Sequence, residues 1–265
     1  MRLRPRTALL AAAAASALVL SGCAAGSSDE SALEKVESSG TLVVATEGTY
    51  RPFSFHEGGS GPLTGYDVEV IQAVADKLGV EIEFQETQWD AIFAGLDAGR
   101  FDLIANQVSI NDQREEKYDF SEPYTVSPGV LIVAEDNDTI TSFDDLEGAT
   151  SAQSLTSNWY TLAESFGANV EAVEGWAQAA ELLRQGRVDA TVNDELTFRD
   201  YETTEGGDTG LKIAAESDDV SYNAFALRKG SDDLVAAIDE ALAELRADGT
   251  LAEISEKYFG ADVSG

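Results

Sequence analysis

Short apolar runs alternate with amphipathic helical patterns, and the alternation is run through twice with no long linker between. This constrains the chain more than any other feature. In the first series, Leu42-Val43-Val44-Ala45 reads as a strand. A helix follows over 65–78, with Val68, Ile71, Ala75 and Leu78 on one face and Gly79 as its stop. Residues 81–85 alternate as a strand, 89–98 form a helix stopped by Gly99, and Leu103-Ile104-Ala105 and 129–134 are buried strands. In the second series, a turn capped by Ser142 precedes strand 149–153, helix 159–166, strand 170–173, helix 177–185, strand 188–192 and a helix over 193–201. Strands 211–214 and 224–227 lead into an amphipathic helix over 231–247, with Leu234, Ile238, Leu242 and Leu245 on its apolar face. A last helix ends near Phe259. Two such series predict two α/β lobes with mainly parallel sheets. The length of 265 residues and the 43% hydrophobic content suffice for two modest cores. The lobe break then falls in extended segments, near 126–129 and 220–223.

Charge narrows the partners. The formal net charge is −32, and removing the acid-free segment that holds Arg2, Arg4 and Arg6 leaves −35. A surface of that sign repels nucleic acid and anionic membrane. The acids are spread along the chain, a surface property that suits a saline habitat. One cysteine, Cys23, permits no intrachain disulfide. One histidine, His56, beside the glycine-rich turn Gly58-Gly59-Ser60-Gly61, reads as exposed and inert. No His/Cys cluster could hold zinc, so no metal and no cofactor is expected.

Residues 1–22 read as a signal peptide, with a basic start and an apolar run from Ala8 to Leu20 that is short for a membrane span. The run ends Leu20-Ser21-Gly22-Cys23, which resembles the lipobox of bacterial lipoproteins, where the cysteine is lipidated. Residues 24–32 are small and polar, as suits a tether, and 23–40 are taken as the lipidated N-terminus and tether. The expected location is the outer face of the cell membrane, held by lipid on Cys23.

The stretch 101–124 carries the chemistry. A buried run, Leu103-Ile104-Ala105, turns at once into Asn106, Gln107, Ser109, Asn111 and Arg114. Amides, a hydroxyl and one guanidinium at a strand's carboxyl end form the usual small-molecule edge of an open α/β sheet. The fork of Arg114 matches a carboxylate, and its alternative duty is to neutralise Glu115 and Glu116. Thr156-Ser157-Asn158 sits where a loop enters a helix, so it can cap the helix, receive an anion, or do both. Asp194, past a strand, reads as a helix cap or a cation partner. Trp159 fits cleft or core equally, Trp176 reads as packing, and Phe53, Phe55 and Phe120 read as core.

Several stretches together resemble the extracytoplasmic solute-binding proteins of polar amino-acid ABC transporters. They are Gly65-Tyr66-Asp67-Val68-Glu69-Val70, Tyr118-Asp119-Phe120-Ser121-Glu122-Pro123-Tyr124, Arg246-Ala247-Asp248-Gly249-Thr250-Leu251 and Lys257-Tyr258-Phe259-Gly260. They occur in order across about residues 34–262. Residues 105–111, 152–158 and 192–196 resemble the cystine-binding members most. The resemblance implies an α/β two-lobe periplasmic-binding-protein-like fold of type II, with two crossover strands as a hinge. It places lobe 1 at 41–126 and 224–262 and lobe 2 at 127–223. It implies a non-enzymatic, monomeric protein that closes on a free amino acid, L-cystine first, and delivers it to the transmembrane subunits of an ABC permease. It also implies roles for single residues. Arg114, with Ser109, would take the ligand carboxylate and Asp194 its ammonium. Tyr50 and Trp89 would stack on it, Glu47 would meet a second ammonium, and Asn106, Gln107, Ser157 and Asn158 would complete the wall. Glutamine, glutamate or a basic amino acid are the alternative ligands. A dehydratase of small carboxylic acids on the same fold, a receptor-linked sensor and an adhesive lipoprotein are the remote alternatives.

Overall fold

The computed structural model describes residues 30–265. The signal peptide, Cys23 and the first part of the expected tether, through residue 29, lie outside the described residues. In chain order, the first lobe opens with α1 (Ala32–Ser39), β1 (Thr41–Thr46), β2 (Thr49–Tyr50), β3 (Ser54–His56), β4 (Leu63–Thr64), α2 (Tyr66–Leu78) and β5 (Glu81–Glu86). It continues with α3 (Trp89–Asp97), β6 (Leu103–Ser109), α4 (Asp112–Glu115) and β7 (Tyr118–Phe120). The chain leaves it along β8 (Thr125–Ala134). The second lobe holds β9 (Thr150–Gln153), α5 (Asn158–Ser165), β10 (Asn169–Ala172), α6 (Trp176–Arg184), β11 (Ala190–Asp194) and α7 (Glu195–Thr204). The chain returns along β12 (Leu211–Arg228) to α8 (Asp232–Ala247) and α9 (Thr250–Phe259).

Among the described residues a nine-stranded sheet runs β10-β9-β11-β8-β12-β6-β1-β5, with β7 also paired to β12. The outer pairs β1–β5, β1–β6, β9–β10 and β9–β11 are parallel, as the alternation predicts. The middle is antiparallel, because β8 leaves the first lobe and β12 re-enters it. The expected strands 211–214 and 224–227 are one strand, β12. Its polar middle, Glu216 to Ser221, hid its continuity, yet Val220 to Asn223 pair with Pro128 to Thr125 of β8. These two strands are the crossover strands of the hinge.

Apolar clusters lie on either side. Val36, Leu42, Val44, Tyr66, Ile71, Phe225, Ile238 and Leu242 belong to one first-lobe core, and Trp89, Ile92, Phe101 and Ile104 to a second. Val130, Leu183, Phe198 and Leu211, and Leu131, Phe143, Leu146 and Val192, fill the second lobe. The tether does not extend to residue 40. Ser31 caps α1 in a reciprocal capping box with Glu34, and the buried Val36 ties the helix to the first-lobe core.

Candidate functional site

The polar end of β6 does not follow strand alternation. Neighbouring side chains of a strand point to opposite faces, yet Asn106 and Gln107 both line the same cavity. The cause is a bulge. Ile104 pairs with Ala226 and Val108 with Ala224, so three residues of β6 face the single Phe225. Gln107 carries φ +50°, the left-handed region.

The cavity measures about 300 Å³, at the lower end of the roughly 300–1,000 Å³ usual for small-ligand sites. The first lobe contributes Glu47, Tyr50, Trp89, Asn106 and Gln107, and the second contributes Ser157, Asn158, Trp159, Glu174, Trp176 and Asn193. Asn106 fixes Glu47: its Oδ1 accepts from Thr46 Oγ1 (3.0 Å) and Glu47 N (2.8 Å), and its Nδ2 donates to Glu47 Oε2 (2.7 Å). Burial pushes the Glu47 carboxyl up to about 7, only partly offset by Asn106 and the Trp89 backbone, with Asp90 and Glu174 adding to the rise. Tyr50 reaches across the gap: its hydroxyl donates to Asn193 Oδ1 (3.0 Å) and accepts from Thr197 Oγ1 (3.0 Å).

Arg114, Asp194 and Ser109 are not among the lining residues. Arg114 is 8% exposed, with its guanidinium 5.4 Å from the Trp89 ring centre and 5.2 Å from that of Phe93. It donates to the carbonyls of Ser109 (2.8 Å) and, from the other lobe, Thr156 (3.2 Å). Burial lowers it to about 10, which leaves it charged at neutral pH. Asp194 is 2% exposed and caps α7, accepting from Leu196 N (2.9 Å) and from Ser127 Oγ (2.7 Å). Burial pushes it up to about 6. Among the described residues neither takes part in an ion pair. Ser109, with Asn158 and Trp159, borders a second cavity of about 850 Å³ instead.

Ser157 caps α5 by accepting from Tyr160 N (3.0 Å) while also lining the first cavity. Trp159 walls both cavities, and Gly129 leaves room for it: a Cβ there would collide with the indole. Trp176, read as packing, does pack edge-on against Tyr201 at 5.4 Å and also lines the cavity. The Gly175-Trp176 loop–helix entry was the available signal for it. His56 is not freely exposed; its Nδ1 lies 2.7 Å from Gly61 O and its Nε2 3.1 Å from the Glu86 carboxylate. Among the described residues no group of three or more His, Cys, Asp or Glu could hold a metal ion.

Residues 42–261 match the model of the bacterial extracellular solute-binding proteins, family 3. The chain belongs to this family. Its fold is that of the type II periplasmic binding proteins. Over 253 residues it is 48% identical to the L-cystine-binding protein TcyA of Bacillus subtilis, covering 92% of this chain and 94% of that one. The L-cystine solute receptor of Neisseria gonorrhoeae, in its unliganded open conformation, is 46% identical over 89% of this chain and 99% of its own, with a TM-score of 0.60. An ABC uptake transporter substrate-binding protein from Streptococcus pneumoniae with bound histidine is 29% identical over 87% and 96%, with a TM-score of 0.80. Relatives of this similarity are transport-binding proteins rather than enzymes.

Proposed function

We propose that this family-3 protein is the substrate-binding component of an amino-acid ABC importer and that its ligand is L-cystine. One observation carries the reading. A buried cation, Arg114, and a buried anion, Asp194, come from opposite lobes, Arg114 packed behind the lining Trp89 and Asp194 next in the chain to the lining Asn193, and neither has an ion partner among the described residues. Burying an unpaired charge is costly. A zwitterion offers both missing charges on one carbon, so it compensates the two lobes together and favours their closure. Glu47 and Glu174 at the same cavity supply negative charge for a second ammonium, which a two-headed amino acid brings. Trp89, Tyr50 and Trp176 offer rings against which a polarizable disulfide packs well. The names of the relatives point the same way.

The lobes are read as closed. The histidine-bound neighbour superimposes better, at TM-score 0.80, than the open receptor does at 0.60, although its sequence is less similar. Arg114 to Thr156, Tyr50 to Asn193 and Arg51 to Asp200 bridge the lobes directly. Family membership places the work outside the cytoplasm. Anchoring by lipid on Cys23, action as a monomer and delivery to permease subunits complete the reading.

The test is a thermal-shift screen with L-cystine, L-cysteine, glutamine, glutamate and arginine, followed by calorimetry and recovery of the ligand. L-cystine should give the largest shift and be recovered unchanged. A shift with arginine alone removes the cystine assignment, no shift with any amino acid removes the importer reading, and a chemically altered ligand makes the chain an enzyme.

A further inference from the structure

Asp67 lies in the first turn of α2, fully buried and outside the residues that line the cavity. Its two carboxylate oxygens both accept from Gln107: Oδ2 from the backbone N–H (2.7 Å) and Oδ1 from the side-chain amide Nε2 (2.6 Å). Thr125 Oγ1, at the start of β8, takes the other Nε2 hydrogen at 3.1 Å. Gln107 is the one non-glycine residue at positive φ among the described residues, and it sits at the β6 bulge. Such a backbone persists only where its surroundings over-determine it. The grip also fixes which way the amide faces. With both Nε2 hydrogens engaged, Oε1 remains, and it is buried without a hydrogen-bond partner. Burial pushes the Asp67 carboxyl up to about 7, offset in part by its hydrogen bonds to Gln107.

We propose that Asp67 is a positioning residue for ligand recognition: it holds Gln107 in its left-handed bulge and so keeps Asn106 and Gln107 together in the cavity wall, while Asp67 itself touches no ligand. The proposal rests on the reading of the cavity as an amino-acid site. Asp67→Asn keeps the size but turns an NH₂ toward one of the Gln107 donors. Gln107→Gly adopts the same φ without strain and needs no support.

The experiment is a double-mutant cycle on the full extracytoplasmic chain, read by calorimetry with L-cystine and by amide hydrogen exchange without ligand. Asp67→Asn should weaken binding at least tenfold in the wild-type background and less than about threefold in the Gln107→Gly background. In the ligand-free protein it should abolish the exchange protection of the Gln107 amide while α8 stays protected. An equal loss in both backgrounds, or unchanged Gln107 protection, overturns the proposal. If Asp67→Asn does not fold, Gln107→Leu must lose affinity, and wild-type affinity there overturns it. Absence of binding by the wild type would remove the amino-acid reading alone, because the exchange measurement still decides whether Asp67 holds the bulge.

Discussion

A buried guanidinium whose visible acceptors are two carbonyls, Ser109 O and Thr156 O, is only half compensated. Removing one member of a buried charge pair costs about 3–5 kcal/mol, which is roughly two to three and a half decades of affinity. Arg114→Ala and Asp194→Ala are therefore each expected to weaken ligand binding at least about a hundredfold, with little loss of folding. Calorimetry and a melting curve check both. The buried carboxyls set the pH response. Glu47 is raised to about 7 and Asp194 to about 6 by burial, above their unfolded values. The folded state therefore binds more protons than the unfolded state between about pH 4 and 7, and stability without ligand should rise as pH falls through that window. Ligand ammonium groups favour the ionised carboxyls, so binding near pH 6 should release protons and weaken on further acidification. Calorimetry in buffers of different ionisation enthalpy reads that release, and proton uptake would contradict the assignment. Sequence made these groups legible as types. Arg114 is the lone cation after a strand that turns polar, and Asp194 follows a strand. Their placement behind the wall was not legible, because it depends on ring packing by Trp89 and Phe93 and on the Ser127 contact from β8.

Helices and outer strands were readable from periodicity, since each buries one face against its own lobe. The errors fall where polar residues are buried by the other half of the chain. The sequence pattern splits β12 because Glu216 to Ser221 look like a loop, yet Glu216, Val220 and Ser221 pair with β8 across a register shift. The bulge at Gln107 could not be read, because a glutamine at positive φ is held by Asp67, forty residues away. Trp159 was ambiguous for a comparable reason: it belongs to α5, but Gly129 of β8 decides that it reaches both cavities. Gly129→Ala is expected to push the indole aside, costing about 1–3 kcal/mol of stability from overpacking. Tryptophan fluorescence should change and ligand affinity should fall. An unshifted spectrum with normal affinity would mean that Trp159 does not depend on this glycine.

Closure belongs to the molecule as a whole, and one residue concentrates it. Thr156, on the loop into α5, is held from the first lobe on three atoms. Asp90 Oδ1 accepts from its N–H (3.1 Å) and its Oγ1 (2.7 Å), while Arg114 donates to its carbonyl (3.2 Å). Arg51 adds a two-bond ion pair to Asp200 at 3.2 and 3.4 Å, worth little at an exposed site. Hydrogen bonds to a charged group are worth about 1.5–3 kcal/mol, at the low end where water competes. They exist only in the closed arrangement, so they bias the hinge by that amount. Asp90→Ala should therefore speed ligand release roughly tenfold with a smaller change in association, because the open state keeps its ligand contacts on one lobe. Small-angle scattering of the ligand-free variant should show a larger radius of gyration than the wild type. Arg51→Ala, by the same reasoning, should change release less than about threefold. If Asp90→Ala released ligand at the wild-type rate, the Thr156 contacts would be passengers of closure, and the ligand's own charges would hold the lobes together.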